Sequence, residues 1–323
     1  VASTLPPCGG NSAPDWRSAG LRYYPLRHYL HQQFGGRVWR VSVDAGLGCP
    51  NRDGTIAHGG CVFCDPASFS PSRRLGIPSL TGQIAEGTRR LAARSGAERF
   101  LAYFQPATNT YAPTARLRAL YDEALAQPQI VGLVIGTRPD CVPDDVLDLL
   151  AEFASRTWLA VEYGLQSIHQ RSLTWMNRGH GPEAFVDAVK RSQARGLRVG
   201  AHVILGLPGE SLDEVRATAI ALGQLGIHSV KLHNLHAVRG TPLGDWVAAG
   251  QIHLPDLTEY VPLAVDFLER LPPNCVIDRL VGDAPADCLI APAWCRNKSA
   301  AQRAIDAELT RRDTWQGRLW TTR

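Results

Sequence analysis

From residue 38 onward, short apolar runs alternate with longer stretches in which apolar residues recur every three or four positions. The runs Val38–Val43, Phe100–Phe104, Ile130–Ile135, Trp158–Glu162, Arg198–Leu205 and Ser229–Leu235 are rich in β-branched and aromatic side chains, so they predict strands. Between them, Thr81–Arg94, Thr114–Ala126, Asp144–Ser155, Pro182–Ala194 and Leu212–Leu225 carry the helical period. Pro143 ahead of Asp144-Asp145, and Gly181-Pro182-Glu183, supply helix starts, while Gly196 and Gly226 fall where helices stop. Strands separated by helices pair in parallel through right-handed crossovers. The expected fold is therefore α/β: a partial (β/α)6 TIM-like barrel with parallel strands, its site in the loops at the C-terminal strand ends.

The flanks break this rhythm. Residues 1–22, with Pro6, Pro7, Gly9, Gly10 and Pro14, read as a flexible N-terminal arm. The barrel spans 23–256, opening with an aromatic and basic segment (Tyr23 to Gln33) that covers the first strand or, alternatively, faces RNA. Residues 257–323 form a short C-terminal extension packed on the barrel, with a helix (Thr258–Leu271), a short strand (Val276–Leu280) and a tail.

Composition changes little: 20% charged and 45% hydrophobic residues over 323 positions suit an ordinary globular chain with a full core, and no long apolar run predicts a membrane span. A net charge of +4 permits an anionic partner without requiring one. No signal-peptide pattern opens the chain, and a core of this size needs no disulfide staples, so the eight cysteines point to a reducing, cytoplasmic location.

Residues able to do chemistry gather at the predicted strand ends. Cys49 follows the first strand, Gln105 the second, Thr137-Arg138 the third, Glu162 and Gln166 the fourth, and Gly206 the fifth; His236 lies near the sixth. Cys49, Cys61 and Cys64 lie on a Gly- and Asp-rich loop able to wrap three thiolates round one centre. Closed structural zinc sites and ordinary ferredoxin-type clusters take four protein ligands, so three leave one metal position open to a small molecule. A zinc site completed by His58 is the alternative. Cys141, Cys275, Cys288 and Cys295 show no compact CxxC spacing and read as buried small hydrophobes.

The strings Leu47-Gly48-Cys49-Pro50-Asn51-Arg52-Asp53-Gly54, Gly60-Cys61-Val62-Phe63-Cys64, Ile135-Gly136-Thr137-Arg138-Pro139-Asp140, Glu162-Tyr163-Gly164-Leu165-Gln166-Ser167, Asn177-Arg178-Gly179-His180 and Leu205-Gly206-Leu207-Pro208-Gly209-Glu210 resemble a radical S-adenosylmethionine (radical SAM) protein. The match, over about Tyr23 to Gly317, is nearest to the YhcC-type family, relatives of the radical SAM domain of the Elongator catalytic subunit. Eleven residues separate the first two cysteines instead of the commonest three, a spacing typical of that family.

The resemblance implies an enzyme in which Cys49, Cys61 and Cys64 bind a [4Fe–4S] cluster whose fourth iron meets the amino and carboxylate groups of S-adenosylmethionine. One electron, from a flavodoxin- or ferredoxin-type donor, then breaks the sulfonium bond. The products are methionine and a 5′-deoxyadenosyl radical that takes hydrogen from an unidentified substrate, and the kinship makes tRNA a candidate. A non-catalytic zinc or iron–sulfur protein is the reading from another class. By resemblance Gln166 meets the ribose and Arg178, twelve residues on, the methionine carboxylate, a role suited to a bidentate guanidinium. Phe63 precedes the last cysteine, and Gln105 sits where relatives contact the methionine end; it could equally belong to a polar turn. Gly206 would let the backbone approach adenine. His202 replaces an Asp that helps hold the ribose in relatives, and Gly136 a Glu, for which Glu162 is the nearest substitute. A core histidine and a buried ion pair are the respective alternatives. The basic tail from Arg296 fits an RNA-facing edge or, slightly better, a solvated helix face.

Overall fold

The computed structural model describes residues 16–321, so most of the expected arm lies outside the described residues. Nine strands are present among them: β1 (Val38–Val43), β2 (Arg99–Phe104), β3 (Ile130–Thr137), β4 (Trp158–Gln166), β5 (Arg198–Leu205), β6 (Ser229–Asn234), β7 (Ala237–Val238), β8 (Val276–Arg279) and β9 (Leu289–Ala291). Seven build one sheet in the order β1-β2-β3-β4-β5-β6-β8, and every neighbouring pair in it is parallel. β7 and β9 form a separate antiparallel pair. Sequential parallel strands with a helix in each crossover make the curled half-barrel that the alternation of patterns predicts.

Local chemistry explains the punctuation. Ser211 accepts a hydrogen bond from the Glu214 amide while Glu214 reaches back to the Ser211 amide, so a reciprocal cap starts helix Leu212–Gln224. Asp256 and Glu259 repeat the arrangement at Leu257–Glu269. The main core lies between sheet and helices, where Phe104, Tyr121 and Phe153 stack edge to face. A second cluster plugs the N-terminal end of the barrel: Tyr24, Tyr29 and Leu30 of the segment around helix Leu26–Phe34 pack against Val38, Trp158 and Val276. The aromatic opening segment thus covers the barrel floor, and the Trp158 indole donates to Tyr29 Oη at 3.2 Å.

Two expectations need correction. The barrel sheet has seven strands, not six, because β8 of the extension pairs in parallel with β6. The extension completes the sheet instead of merely resting on it, and its helix Leu257–Glu269 is tied to the preceding barrel helix by Arg216, whose Nη2 lies 2.6 Å from buried Asp266. Nor does the arm run to residue 22: Trp16 is buried, and its Nε1 donates to Pro273 O at 2.8 Å.

Candidate active site

The C-terminal mouth of the half-barrel opens into a cavity of about 890 Å³. Cys49, Cys61, Phe63, Cys64, Gln105, Gln166, Arg178 and His202 all line it, so eight of the ten predicted site residues converge.

The cysteine loop is held by its own backbone and by the segment after β4. Arg52 N donates to Cys49 O, Gly60 N to Asn51 O, and Val62 N to Met176 O. Buried Asn51 donates through Nδ2 to Asn177 O at 2.6 Å, and Asn177 returns a bond from its own Nδ2 to Gly60 O at 2.8 Å. This reciprocal lock requires close approach, and Gly179 permits it: φ is +76°, and a Cβ there would lie 2.4 Å from Asn51 Oδ1. Arg138 completes the frame, donating to Arg178 O at 2.9 Å while Asp140 grips its other nitrogens at 2.9 and 2.7 Å. Arg138 was noted at the end of the third strand, whereas Asn51 and Asn177 were not singled out from the sequence, although each sits inside a quoted string.

Cys61 is enclosed by N–H donors, with Asn51 Nδ2 and Arg178 Nη1 each 3.6 Å from its sulfur. Burial, then the neighbouring Cys61, push the Cys64 thiol up to about 12, since thiolates do not gather in a dry site without a cation. A bound metal supplies that cation and deprotonates its thiol ligands. Among the described residues no three His, Cys, Asp or Glu side chains converge tightly enough for a single ion. A four-iron cluster gives each thiolate its own iron and so spreads its ligands more widely. His58, the zinc alternative's fourth ligand, is absent from the cavity wall and stacks on Gly54, where a Cβ would lie 2.5 Å from its Cε1.

Arg178 is the most telling side chain. It is 8% exposed, yet its nitrogens meet no carboxylate: Nη1 faces Cys61, Nη2 donates to Gly164 O at 2.7 Å, and Nε has no partner. Gly164 makes this possible, because a Cβ would lie 2.5 Å from Nη2. Beside it Gln166 takes φ +74°, at a shift in register between β4 and β5 that sets its side chain on the cavity wall. The left-handed region costs a non-glycine residue about 1 kcal/mol, and such strain persists only where surroundings enforce it.

Two predicted residues stand elsewhere. Glu162 is 1% exposed inside the barrel, where Arg40 lies 2.7 Å from Oε1, and His202 and Lys231 lie 2.6 and 3.3 Å from Oε2. Its carboxylate is consumed by this network and reaches the cavity only through His202, so it does not replace the missing strand-three carboxylate. Gly206 is also off the wall: its φ of +82° and a Cβ position 2.5 Å from Pro255 Cγ explain the glycine as a packing requirement. Gln105 lines the cavity, whereas Asn109 in the following turn is structural, its Nδ2 donating to Phe104 O, Pro106 O and Gly136 O. Cys141, Cys275 and Cys295 are buried free thiols, as read from the sequence, whereas Cys288 is only half-buried. In the basic tail Arg311 and Arg312 pair with Glu308, and Lys298 pairs with Asp283.

Comparison with known proteins agrees with this geometry. Residues 46–222 match the Radical SAM superfamily and residues 227–311 the Radical SAM C-terminal domain. YtqA of Bacillus subtilis is 40% identical over 299 residues, 93% of each chain, and YhcC of Escherichia coli is 38% identical over 283 residues, 87% of this chain and 90% of that protein. The tRNA uridine(34) acetyltransferase of Methanocaldococcus infernus is 27% identical over 170 residues, 51% of this chain and 31% of that protein. The solved structure of Elp3 from the same archaeon superposes with a TM-score of 0.64 at 18% identity, covering 86% of this chain and 64% of that one, which supports the fold. A cavity at the mouth of a parallel half-barrel, three cysteines on the loop after β1 and extensive identity to YtqA and YhcC lead to one assignment: the chain belongs to the radical SAM superfamily, alongside YtqA and YhcC.

Proposed function

We propose that this chain is a radical SAM enzyme that holds a [4Fe–4S] cluster through Cys49, Cys61 and Cys64 and binds S-adenosylmethionine in the adjoining cavity. When bound, these groups supply a 5′-deoxyadenosyl radical able to remove hydrogen from an unactivated carbon; the chain's task is to bind, orient and exclude. Arg178 carries the reading. A buried guanidinium against Cys61, with an unpartnered Nε and no carboxylate of its own, fits the methionine carboxylate of a cofactor seated on the cluster. Gln166, fixed by its strained backbone, faces the ribose. Phe63 covers the cluster's apolar side, and Gln105 serves the methionine end. His202, clamped by Glu162, presents a fixed ring on the far wall.

A one-electron donor of the flavodoxin or ferredoxin type is required. The seven described cysteines are all free, which supports a reducing cytoplasmic setting, and among the described residues no helix is long and apolar enough to cross a membrane. For the substrate we favour tRNA as the first to test, because of the named tRNA uridine(34) acetyltransferases among the relatives.

The test is anaerobic reconstitution with iron and sulfide, followed by electron paramagnetic resonance of the reduced protein with and without S-adenosylmethionine. A cluster signal that the cofactor perturbs, lost in Cys61→Ala, is expected. A colourless protein that takes up zinc in preference to iron would sink the proposal in favour of a metal-stabilised binding protein.

A further inference from the structure

The cavity is lined by seven Arg or Lys side chains and a single carboxylate, Asp283. Most of this excess is compensated locally. Arg74 pairs with Asp287, Arg90 with Glu86, Arg138 with Asp140, and Lys298 with Asp283 itself. Arg52 and Arg178 stand beside the cysteines, where thiolates and the cofactor carboxylate supply negative charge. One cation remains unexplained.

Arg279 ends β8, the edge strand beside β6, and lines the same cavity as the three cysteines. Among the described residues no carboxylate lies within ion-pair reach of it. Among the described residues its hydrogen-bond partner is the ring of His233, which Nη2 contacts at Nδ1 and at Nε2, the latter at 3.0 Å, while Nε is enclosed without a partner there. The surroundings offer little counter-charge. His233 stacks against His202 with ring centroids 5.5 Å apart. Burial drives both imidazoles below their ordinary range, His202 to about 4, so both are neutral near pH 7. Glu162 is already shared between two other cations, Arg40 and Lys231, and the His202 ring. Burial also draws Arg279 below its ordinary value, outweighing the more distant charges of Asp283 and Glu162 that raise it. The local shape leaves room. Gly282 faces this group, and a Cβ there would lie 3.2 Å from Arg279 Nη2, 3.4 Å from His233 Nδ1 and 3.6 Å from Asn234 Oδ1.

We propose that Arg279, oriented by His233 and flanked by the small Gly282, binds an oxyanion, a carboxylate or a phosphate, carried by the substrate in the cavity that the cysteines also line. The inference rests on the radical SAM reading and adds the chemical class of the group recognised. An oxyanion gripped at one end would hold the reacting carbon at a fixed distance from the cofactor, which is how remote binding contributes to orientation.

The experiment is a titration of the reconstituted holoprotein, with S-adenosylmethionine present so that Arg178 is occupied. Inorganic phosphate is followed by the line width of its phosphorus resonance, and acetate by its methyl relaxation, both at constant ionic strength. Wild type, Arg279→Met, Arg279→Lys and Gly282→Ala are compared at equal iron and sulfide content. Binding of at least one probe is expected, weaker by about tenfold or more in Arg279→Met and weakened by the new methyl in Gly282→Ala. A preference for phosphate over acetate would point to a phosphate ester, and the reverse to a carboxylic acid. Either supports the assignment. Equal binding by wild type and Arg279→Met, or no binding by wild type, overturns it. The parent reading is judged separately, by 5′-deoxyadenosine formation in wild type, so each can fail without the other.

Discussion

Replacing Glu162 by Gln should destabilise the protein far more than replacing Asp278 by Asn, although both carboxylates flank Arg40. The two differ in charge. Glu162 lies well below its ordinary value because Arg40, Lys231 and His202 together outweigh the penalty of burial. Asp278, 2.8 Å from Arg40, is instead raised to about 7, by burial first and by the charge of Glu162 beyond that. Asp278 Oδ1 has no donor among the described residues, and a proton held by Asp278 toward Glu162 serves the pair. In Glu162→Gln the shape persists but Lys231, already drawn down to about 8 by burial, keeps only Tyr103, its Nζ 2.6 Å from the hydroxyl and 4.1 Å from the ring centroid. Breaking a buried pair from one side costs about 3–5 kcal/mol. Asn at 278 supplies a neutral donor much as the protonated acid does, so its cost is about 1 kcal/mol or less. With urea slopes of about 1–3 kcal/mol per molar, the Glu162→Gln midpoint should fall by roughly 1 M or more at pH 6 and that of Asp278→Asn by much less. The pH dependence adds a sign. The folded pKa of Asp278 exceeds its unfolded value of 3.8, so the folded state keeps a proton that the unfolded chain releases, and this stabilisation is lost as pH rises through 4 to 7. For Glu162 the shift is opposite, and its contribution, complete above the ordinary carboxylate range, is lost only in stronger acid. Wild type should therefore lose stability relative to Asp278→Asn between pH 4 and 7. Equal midpoints for the two variants, or a difference from Asp278→Asn that does not vary with pH, would refute the charge assignment.

Trp16→Ala should lower stability by about 3–5 kcal/mol, read as a lower melting temperature, because the indole is fully packed at the barrel floor; an unchanged melting point would show that the segment does not hold. Arg178→Lys should weaken S-adenosylmethionine binding by about tenfold or more in equilibrium dialysis, since a point charge cannot reproduce the planar fork; equal affinity would remove Arg178 from the carboxylate. Gly206→Ala should destabilise the fold, because φ is +82° and Pro255 occupies the Cβ position; since Gly206 is off the cavity wall, a cofactor-affinity loss without a stability loss would contradict the packing role.

Much of the barrel was legible because its strands are short, apolar and separated by helices of clear period. The cysteine loop, Gln166 and Arg178 were legible as fixed strings, and they do converge. What escaped was whatever depends on partners distant in sequence. Arg40, Lys231 and Asp278 occupy strand positions that alternate with apolar ones, the pattern of a solvent-facing side, yet that side faces the barrel interior, where the charges neutralise one another. Glu162 could be read toward the cofactor or into a buried ion pair, and its partners on β1, β5 and β6, which decide for the pair, are distant in sequence. The strand at Val276 was visible, but its parallel pairing with β6 follows from tertiary geometry alone. Arg279 was overlooked for the same reason, since a residue on a supposed appendage gives no sign of lining the cavity.

The most direct test of the account is to reduce the reconstituted protein with dithionite in the presence of S-adenosylmethionine and quantify 5′-deoxyadenosine by chromatography, for wild type and the Cys49→Ala, Cys61→Ala and Cys64→Ala variants. The account predicts deoxyadenosine from wild type and none from the three variants. Full turnover by any of the variants, or none by a wild type carrying its cluster and supplied with candidate substrates including tRNA, would contradict it.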